Sequence, residues 1–241
     1  MHNGGRDLLL NRRFVVKKLI KAFLRNFLVH PFILCNYRLT ICGLSETLGS
    51  VDSAIVVINH VSLMDAPLLV SAVWPIQVCG AVWYEEYAHP LQYPFFKLFD
   101  AISVGSPKHL SKEKRMERKE KALHLLVDVL AGGAHVAISP EGGIGDGAGV
   151  KITPHFSGLH DLILAQPAKP VVLVTIRGLE RSRFGRSKQR PPSLWKRLPI
   201  TVTFQRVDHV SLEGGPAGLN RRLEQYFNQG ISLAQSAANA A

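Results

Sequence analysis

Two side chains that could transfer a proton stand close together after the first strongly apolar segment of the sequence. Residues 59–65 read NHVSLMD, follow the β-prone run 54–58 and precede the apolar stretch 66–73. A histidine takes a proton from a hydroxyl group efficiently when a carboxylate fixes its tautomer and stabilises its protonated form. Four residues separate His60 from Asp65, so one helical turn would bring the side chains together. The pattern therefore predicts a general base, His60, with Asp65 as its orienting acid.

A second segment whose residues could take part in catalysis or binding follows the apolar run 136–138. Residues 139–143 read SPEGG, and five glycines fall between positions 142 and 149. Glycines let backbone N–H groups approach a ligand closely, and Pro140 stiffens the approach to the loop. Glu141 supplies another carboxylate. On its own the segment is more typical of a surface turn in which Glu141 is solvated.

Together the two segments resemble the glycerolipid acyltransferase family, whose best known members acylate lysophosphatidate or glycerol 3-phosphate. The first segment matches the Asn-His-x-Ser-x-x-Asp motif of the family at every fixed position: Asn59, His60, Ser62 and Asp65. The second matches the centre of a Phe-Pro-Glu-Gly motif, with Ser139 where phenylalanine is usual. The apolar run 170–176 looks like the last motif of the family. The resemblance extends from about residue 38 to residue 207.

Two positions depart from the family pattern. Relatives commonly carry Thr-Arg after Glu-Gly, where this chain has Gly143 and Ile144. The arginine expected near the end of the strand 101–104 is replaced by Gly105 and Ser106. In relatives these cations are thought to hold the phosphate of the acceptor. Nearby cations that could take their place are Lys97, Lys108, Lys151 and Arg177.

The resemblance implies acyl transfer from a thioester, acyl-CoA or acyl-carrier protein, to a hydroxyl group of a lysophospholipid-like or other lipid acceptor. His60 would remove the hydroxyl proton and Asp65 would hold the imidazole ring. The predicted substrate-binding residues are the remaining matched or neighbouring positions: Asn59, Ser62, Glu141, Gly142 and Gly143. No cofactor beyond the acyl donor and no metal are expected.

Two other classes of protein stay open at this point. A serine hydrolase or thioesterase could use Ser62 or Ser157 as its nucleophile, although no Gly-x-Ser-x-Gly sequence is present. A non-catalytic lipid-binding protein at a membrane surface could also retain such a fold.

Composition narrows the possible partners. The 241 residues are 46% hydrophobic, so the chain can bury one sizeable core. Lys and Arg outnumber Asp and Glu by 29 to 18, so we expect an anionic partner. Aromatic residues do not alternate with the basic ones as on a stacking platform, and nucleic acid is therefore not expected. Three cysteines without C-x-x-C spacing favour a reduced compartment.

The N-terminal segment has the pattern of a basic amphipathic helix. Its apolar residues recur at helical spacing: Val16, Leu19, Ile20, Phe23 and Phe27. The basic residues fall largely on the other side: Lys17, Lys18, Lys21 and Arg25. Such a helix can lie in an anionic membrane interface, here on the cytoplasmic face as a peripheral attachment. The alternative is a helix packed on the domain with its basic face in solvent.

Apolar strand-like runs alternate with helical patterns along the rest of the chain. Strands are predicted near 54–58, 76–83, 101–104, 135–139, 170–176 and 200–207, and helices near 63–73, 86–98, 111–131, 157–165 and 217–228. The basic run 112–121 is predicted to be a solvated helix face. The alternation predicts a single α/β domain with a mixed, largely parallel sheet covered by helices. The predicted boundaries are a membrane-associating segment 1–36, an acyltransferase domain 37–230 and a flexible tail 231–241.

Overall fold

A computed structural model describes residues 16–90, 92–107, 109–146, 148–186 and 197–229. Seven strands within these residues form one sheet: β1 (Tyr37–Cys42), β2 (Ile55–Ile58), β3 (Val78–Trp83), β4 (Ile102–Val104), β5 (His135–Ile138), β6 (Val171–Arg177) and β7 (Leu198–Val207). Their order is β1-β7-β6-β2-β5-β3-β4. Strand β7 is antiparallel to β6, and every other pair of neighbours is parallel. The predicted mixed, largely parallel sheet is confirmed.

Helices cover both faces of this sheet. They are α1 (residues 16–36, including a π-turn at Arg25–Val29), α2 (Asp65–Val73), α3 (Tyr84–Tyr87), α4 (Tyr93–Leu98), α5 (Lys112–Ala131), α6 (Gly158–Ala165) and α7 (Gly215–Gln229). In β2, Ile55 and Val57 join a core with α5, α6 and α7, whereas Val56 and Ile58 join a core with α1 and α2. Because side chains alternate along a strand, burial on both faces requires an uninterrupted apolar run.

Two elements differ from the sequence prediction. Strand β1 was not predicted, because it lies at the sheet edge and only Tyr37 among its side chains is fully buried. The single helix predicted near 86–98 is instead two short helices, α3 and α4, and Pro94 stands in the first turn of α4. A proline is favourable at that position and disruptive inside a helix.

The topology places the two motif loops side by side. Strands β2 and β5 are parallel neighbours, so the loops that follow Ile58 and Ile138 leave the same edge of the sheet. Ligands in open α/β sheets bind beyond the carboxyl ends of the strands. None of the helices in the described ranges is long and apolar enough to cross a membrane.

Candidate active site

His60 and Asp65 meet in the loop between β2 and α2. The Nδ1 atom of His60 lies 2.7 Å from Asp65 Oδ2, and the same oxygen accepts the backbone N–H groups of Val61 at 2.7 Å and Ser62 at 3.0 Å. Asp65 is 4% exposed, whereas the His60 side chain is 29% exposed. Asp65 also begins α2, where a negative charge interacts favourably with the helix dipole. With Nδ1 facing the carboxylate, Nε2 is left to act on a substrate.

Asn59 extends the pairing of β2 with β6 by one residue. Its side-chain amide donates to the carbonyl of Ile176 at 2.9 Å, and its side-chain oxygen accepts the Ile176 N–H at 2.7 Å. Asn59 is buried and does not line the cavity described below. The structure thus places this predicted substrate-binding residue behind His60, where both of its polar groups bond to backbone.

Ser62 is also occupied by the protein itself. It is fully buried, its Oγ accepts the N–H of Met64 at 3.2 Å, and it lies 3.3 Å from Ser182 Oγ. It does not line the cavity, so neither the predicted substrate contact nor the alternative nucleophilic role fits its position.

Glu141 holds the second motif loop against the first. Its Oε1 accepts the backbone N–H of His60 at 2.5 Å, and the N–H of Gly145 returns a hydrogen bond to the His60 carbonyl at 2.8 Å. Burial raises the pKa of Glu141 to about 7, and the hydrogen bond from His60 only partly opposes this effect. Glu141 was predicted to bind substrate. Its carboxylate instead contacts the catalytic loop.

Gly142 and Gly143 lie against the cavity, as expected of substrate-binding positions. Gly142 has φ +69°, and a Cβ atom there would lie 2.6 Å from the Phe156 ring. A side chain at this position would therefore suffer both backbone strain and a steric clash. Phe156 in turn packs on Trp83 with 6.0 Å between ring centroids.

A cavity of about 1050 Å³ opens beside His60 and Asp65. Its walls are mainly apolar side chains from the sheet and from α2, α4 and α5, among them Leu69, Val70, Phe95, Phe96, Phe99, Val104, Leu123 and Leu126. His60, Asp65 and Ser139 lie in the same wall, and the Ser139 hydroxyl has no hydrogen-bond partner among the described residues. The volume and lining suit a large apolar ligand whose polar group reaches His60.

The cations that reach this cavity are not those expected from the sequence. Lys97 lies over the Tyr93 ring at 5.7 Å, Lys151 is 77% exposed and lies 3.8 Å from Asp146, and Arg177 ends β6. None of these three lines the cavity. Lys108 is outside the described residues.

Three cations of α5 line the cavity instead: Lys112, Arg115 and Lys119. Their spacing places them on one helix face, and Ala122 and Leu126 continue that face along the same wall. All three side chains are exposed, as predicted for the run 112–121, and they also border the cavity. The helical spacing was visible in the sequence, but it did not show that the face borders a cavity.

Ser157, the other candidate nucleophile, does line the cavity. Its Oγ accepts from Lys119 Nζ at 2.7 Å and donates to Asp161 Oδ2 at 3.0 Å. In the described ranges no histidine hydrogen-bonds to this hydroxyl, so it lacks the base that a serine nucleophile requires. No three His, Cys, Asp or Glu side chains of the described chain converge as metal ligands would.

Comparisons with known proteins show the family and the fold of this chain. A model of the acyltransferase family matches residues 42–177, and the chain belongs to that family, which confirms the predicted enzyme class. The crystal structure of the 1-acyl-sn-glycerophosphate (LPA) acyltransferase PlsC from Thermotoga maritima is similar, with a TM-score of 0.59 and 20% sequence identity. The similarity covers 92% of this chain and 85% of that chain, and it shows a shared fold. No curated protein matches the chain.

Proposed function

We propose that this acyltransferase moves an acyl group from a thioester, acyl-CoA or acyl-carrier protein, to a hydroxyl group of a lysophospholipid-like acceptor, with His60 as general base. One observation carries the proposal: Asp65 holds His60 Nδ1 at 2.7 Å while the imidazole faces a large, mainly apolar cavity. A proton on Nδ1 that is donated to Asp65 leaves the lone pair of Nε2 free for a substrate hydroxyl.

The reaction needs no covalent intermediate on the protein. Nε2 of His60 takes the hydroxyl proton as the oxygen attacks the thioester carbonyl, and Asp65 stabilises the imidazolium that forms. When the tetrahedral intermediate collapses, the carbon–sulfur bond breaks and the proton passes from Nε2 to the departing thiolate. The apolar wall of the cavity binds the acyl chain and excludes water from the thioester.

The cations of α5 support an acceptor or a donor that carries a phosphate. Within the described residues, the side chains of Lys112 and Arg115 donate no hydrogen bond and form no ion pair, whereas Lys119 pairs with Asp161 at 2.6 Å. The PlsC neighbour is named for acylating 1-acyl-sn-glycerophosphate, whose phosphate and single acyl chain match a cavity with cationic and apolar walls.

The orientation of α1 supports attachment to a membrane. Its basic side faces the domain: Lys17 and Lys21 bond to Asp100, and Arg25 donates to the Ser71 carbonyl at 3.2 Å. The apolar side points outward, with Leu19, Phe23 and Phe27 each more than half exposed. An uncovered apolar helix face of this kind fits burial among lipid tails. We place the enzyme on the cytoplasmic face, where both classes of acyl thioester occur.

Incubation of the full chain with radiolabelled acyl-CoA or acyl-carrier protein and lysophosphatidate vesicles tests the proposal. Wild type should form labelled phosphatidate, and His60→Ala should lose nearly all of this activity. His89→Ala is the control, because that exposed histidine does not line the cavity. Full activity in His60→Ala would overturn the proposal. A trapped acyl-enzyme that disappears in Ser157→Ala would favour the hydrolase alternative.

A further inference from the structure

A short segment after β6 holds the loop that carries the catalytic pair. Ser182 and Gly185 close a turn through a 3.1 Å hydrogen bond from the Gly185 N–H to the Ser182 carbonyl. An isolated antiparallel bridge joins Gly185 to Ser62, and the Leu63 N–H donates to the Phe184 carbonyl at 3.2 Å. Two backbone contacts and the adjacent serine hydroxyls therefore connect this segment, residues 182–185, to the catalytic loop.

The segment is itself tightly held. Ser182 is 8% exposed, its Oγ accepts the Phe184 N–H at 3.3 Å, and it lies 3.3 Å from Ser62 Oγ. Gly185 passes so close to the carbonyl of Glu180 that a Cβ atom would clash with it. A segment held this firmly can transmit its position to the loop it contacts.

Three consecutive N–H groups of the catalytic loop donate to two acceptors. Those of Val61 and Ser62 converge on Asp65 Oδ2, and that of Leu63 goes to Phe184. Without the Phe184 carbonyl, the Leu63 N–H would lose its partner and the loop would be free to shift. A shift would move the Val61 and Ser62 donors relative to Asp65, and with them the carboxylate that orients His60.

We propose that residues 182–185 form a positioning clasp that keeps Asp65 against His60 Nδ1 and thereby maintains the proton on Nδ1. None of the four residues lines the cavity, so the clasp acts through the catalytic loop and not on substrate. The inference rests on the proposed role of His60 as general base.

Ser182→Ala tests the clasp in the full-length enzyme. We expect kcat to fall roughly tenfold with KM nearly unchanged, because a small misplacement of a catalytic group lowers the rate without weakening substrate binding. Nitrogen NMR of the His60 ring should change from one tautomer to a mixture of two. Ser182→Thr retains a hydroxyl and should recover both properties.

Ser211→Ala is the matched control. The Oγ of Ser211 accepts the N–H of Glu213 at 3.3 Å, the same local hydrogen bond that Ser182 makes to Phe184, and it does not touch the catalytic loop. This variant should keep the wild-type kcat and His60 tautomer.

Two results would overturn the clasp. One is a folded Ser182→Ala enzyme with the wild-type kcat and a single His60 tautomer. The other needs no variant: the Leu63 amide of the wild type should exchange with solvent slowly, and exchange as fast as that of an exposed loop would show that the clasp is not held. If His60→Ala were fully active, the proposed function would fail, while the tautomer and exchange measurements would still decide whether the clasp exists.

Discussion

The backbone N–H of His60 donates to Glu141 Oε1 at 2.5 Å and so joins two loops that are 81 residues apart in the chain. This contact and the return hydrogen bond from the Gly145 N–H to the His60 carbonyl join His60 to the Pro-Glu-Gly corner. The acceptor of the His60 N–H is a half-buried carboxyl group whose charge depends on pH.

The first prediction concerns Glu141 and stability. Burial raises its pKa from the ordinary 4.5 to about 7. Between these values the folded chain keeps a proton that the unfolded chain has released, so the free energy of unfolding should fall as pH rises from 4.5 through about 7. Glu141→Gln keeps an acceptor oxygen but cannot ionise, so the decrease in the free energy of unfolding that Glu141 causes should disappear. Urea unfolding of both proteins at pH 5 and pH 8 measures this difference.

Glu224→Gln is the control for that experiment, because Glu224 Oε1 also accepts a backbone N–H, that of Ile152 at 2.5 Å. In this variant the free energy of unfolding should fall between pH 5 and pH 8 as much as in wild type. Identical pH profiles for wild type and Glu141→Gln would contradict the prediction.

The second prediction concerns the acid that orients His60. Asp65→Asn keeps the size of the side chain but removes the charge that stabilises the imidazolium. The substitution also favours the His60 tautomer that carries its proton on Nε2, which cannot act as the base. We expect kcat to fall by about 10² to 10⁴, as for the equivalent change in catalytic triads. Steady-state kinetics should be measured alongside thermal unfolding. A folded variant that retains more than a tenth of wild-type kcat would argue that Asp65 is not needed for catalysis.

The third prediction is that the cationic wall of the cavity, formed by Lys112 and Arg115, binds the phosphate of a substrate. Removing the charge of Lys112 or Arg115 should raise the KM of the phosphate-bearing substrate by about three- to tenfold. The expected effect is modest because both side chains are exposed to solvent. Lys114→Ala and Lys121→Ala are matched controls on the same helix that do not line the cavity.

Separate titrations of lysophosphatidate and acyl-CoA show which phosphate is recognised. If the cationic wall binds the phosphate of the acceptor, the KM for an uncharged acceptor such as monoacylglycerol should be the same in the variants and in wild type. Unchanged KM values for both substrates would exclude this wall as an anion site.

The fourth prediction concerns Ser139, whose buried hydroxyl lies in the cavity wall and finds no hydrogen-bond partner in the part of the chain that the structure describes. Ser139→Ala should be neutral or slightly stabilising, because it removes an unsatisfied polar atom. Ser139→Phe should fill part of the cavity and lower kcat/KM for long acyl thioesters more than for short ones. A series of acyl-CoA substrates would measure this, and an equal loss for every chain length would contradict it.

The fifth prediction concerns the outer face of α1. Phe27→Asp should weaken binding to phosphatidylglycerol vesicles by about tenfold or more, because burial of a phenylalanine side chain contributes about 1.5–3 kcal/mol. Leu164→Asp is the control, since Leu164 of α6 is 62% exposed but lies away from α1. Co-sedimentation with vesicles measures both variants. Equal binding of Phe27→Asp and wild type would show that this face does not enter the membrane.

Several features of the fold could be predicted because they depend on local patterns. The apolar runs of β2, β5 and β6 exist because both sides of these strands are buried. Edge strand β1 escaped prediction because most of its side chains are exposed and its residues pair only with β7, far along the chain. A weak local pattern cannot show a strand whose partner is remote.

In the candidate site, too, contacts between residues near in sequence could be predicted and contacts between distant residues could not. His60 and Asp65 could be paired from sequence because they belong to one short loop. The roles of Asn59 and Ser62 could not, because their partners Ile176 and Ser182 come from β6 and the segment after it. A motif match marks these residues without showing whether they face substrate or protein.

The sequence by itself determined the pairing of His60 with Asp65, the alternation of strands and helices, and the amphipathic character of α1, since each depends on neighbours along the chain. Only the tertiary structure decided that α1 turns its apolar face outward, that Lys112, Arg115 and Lys119 line the cavity, and that Glu141 and Ser182 contact the catalytic loop. The physical reason is that these arrangements depend on which strands are neighbours, and strand order is set by the packing of the whole sheet.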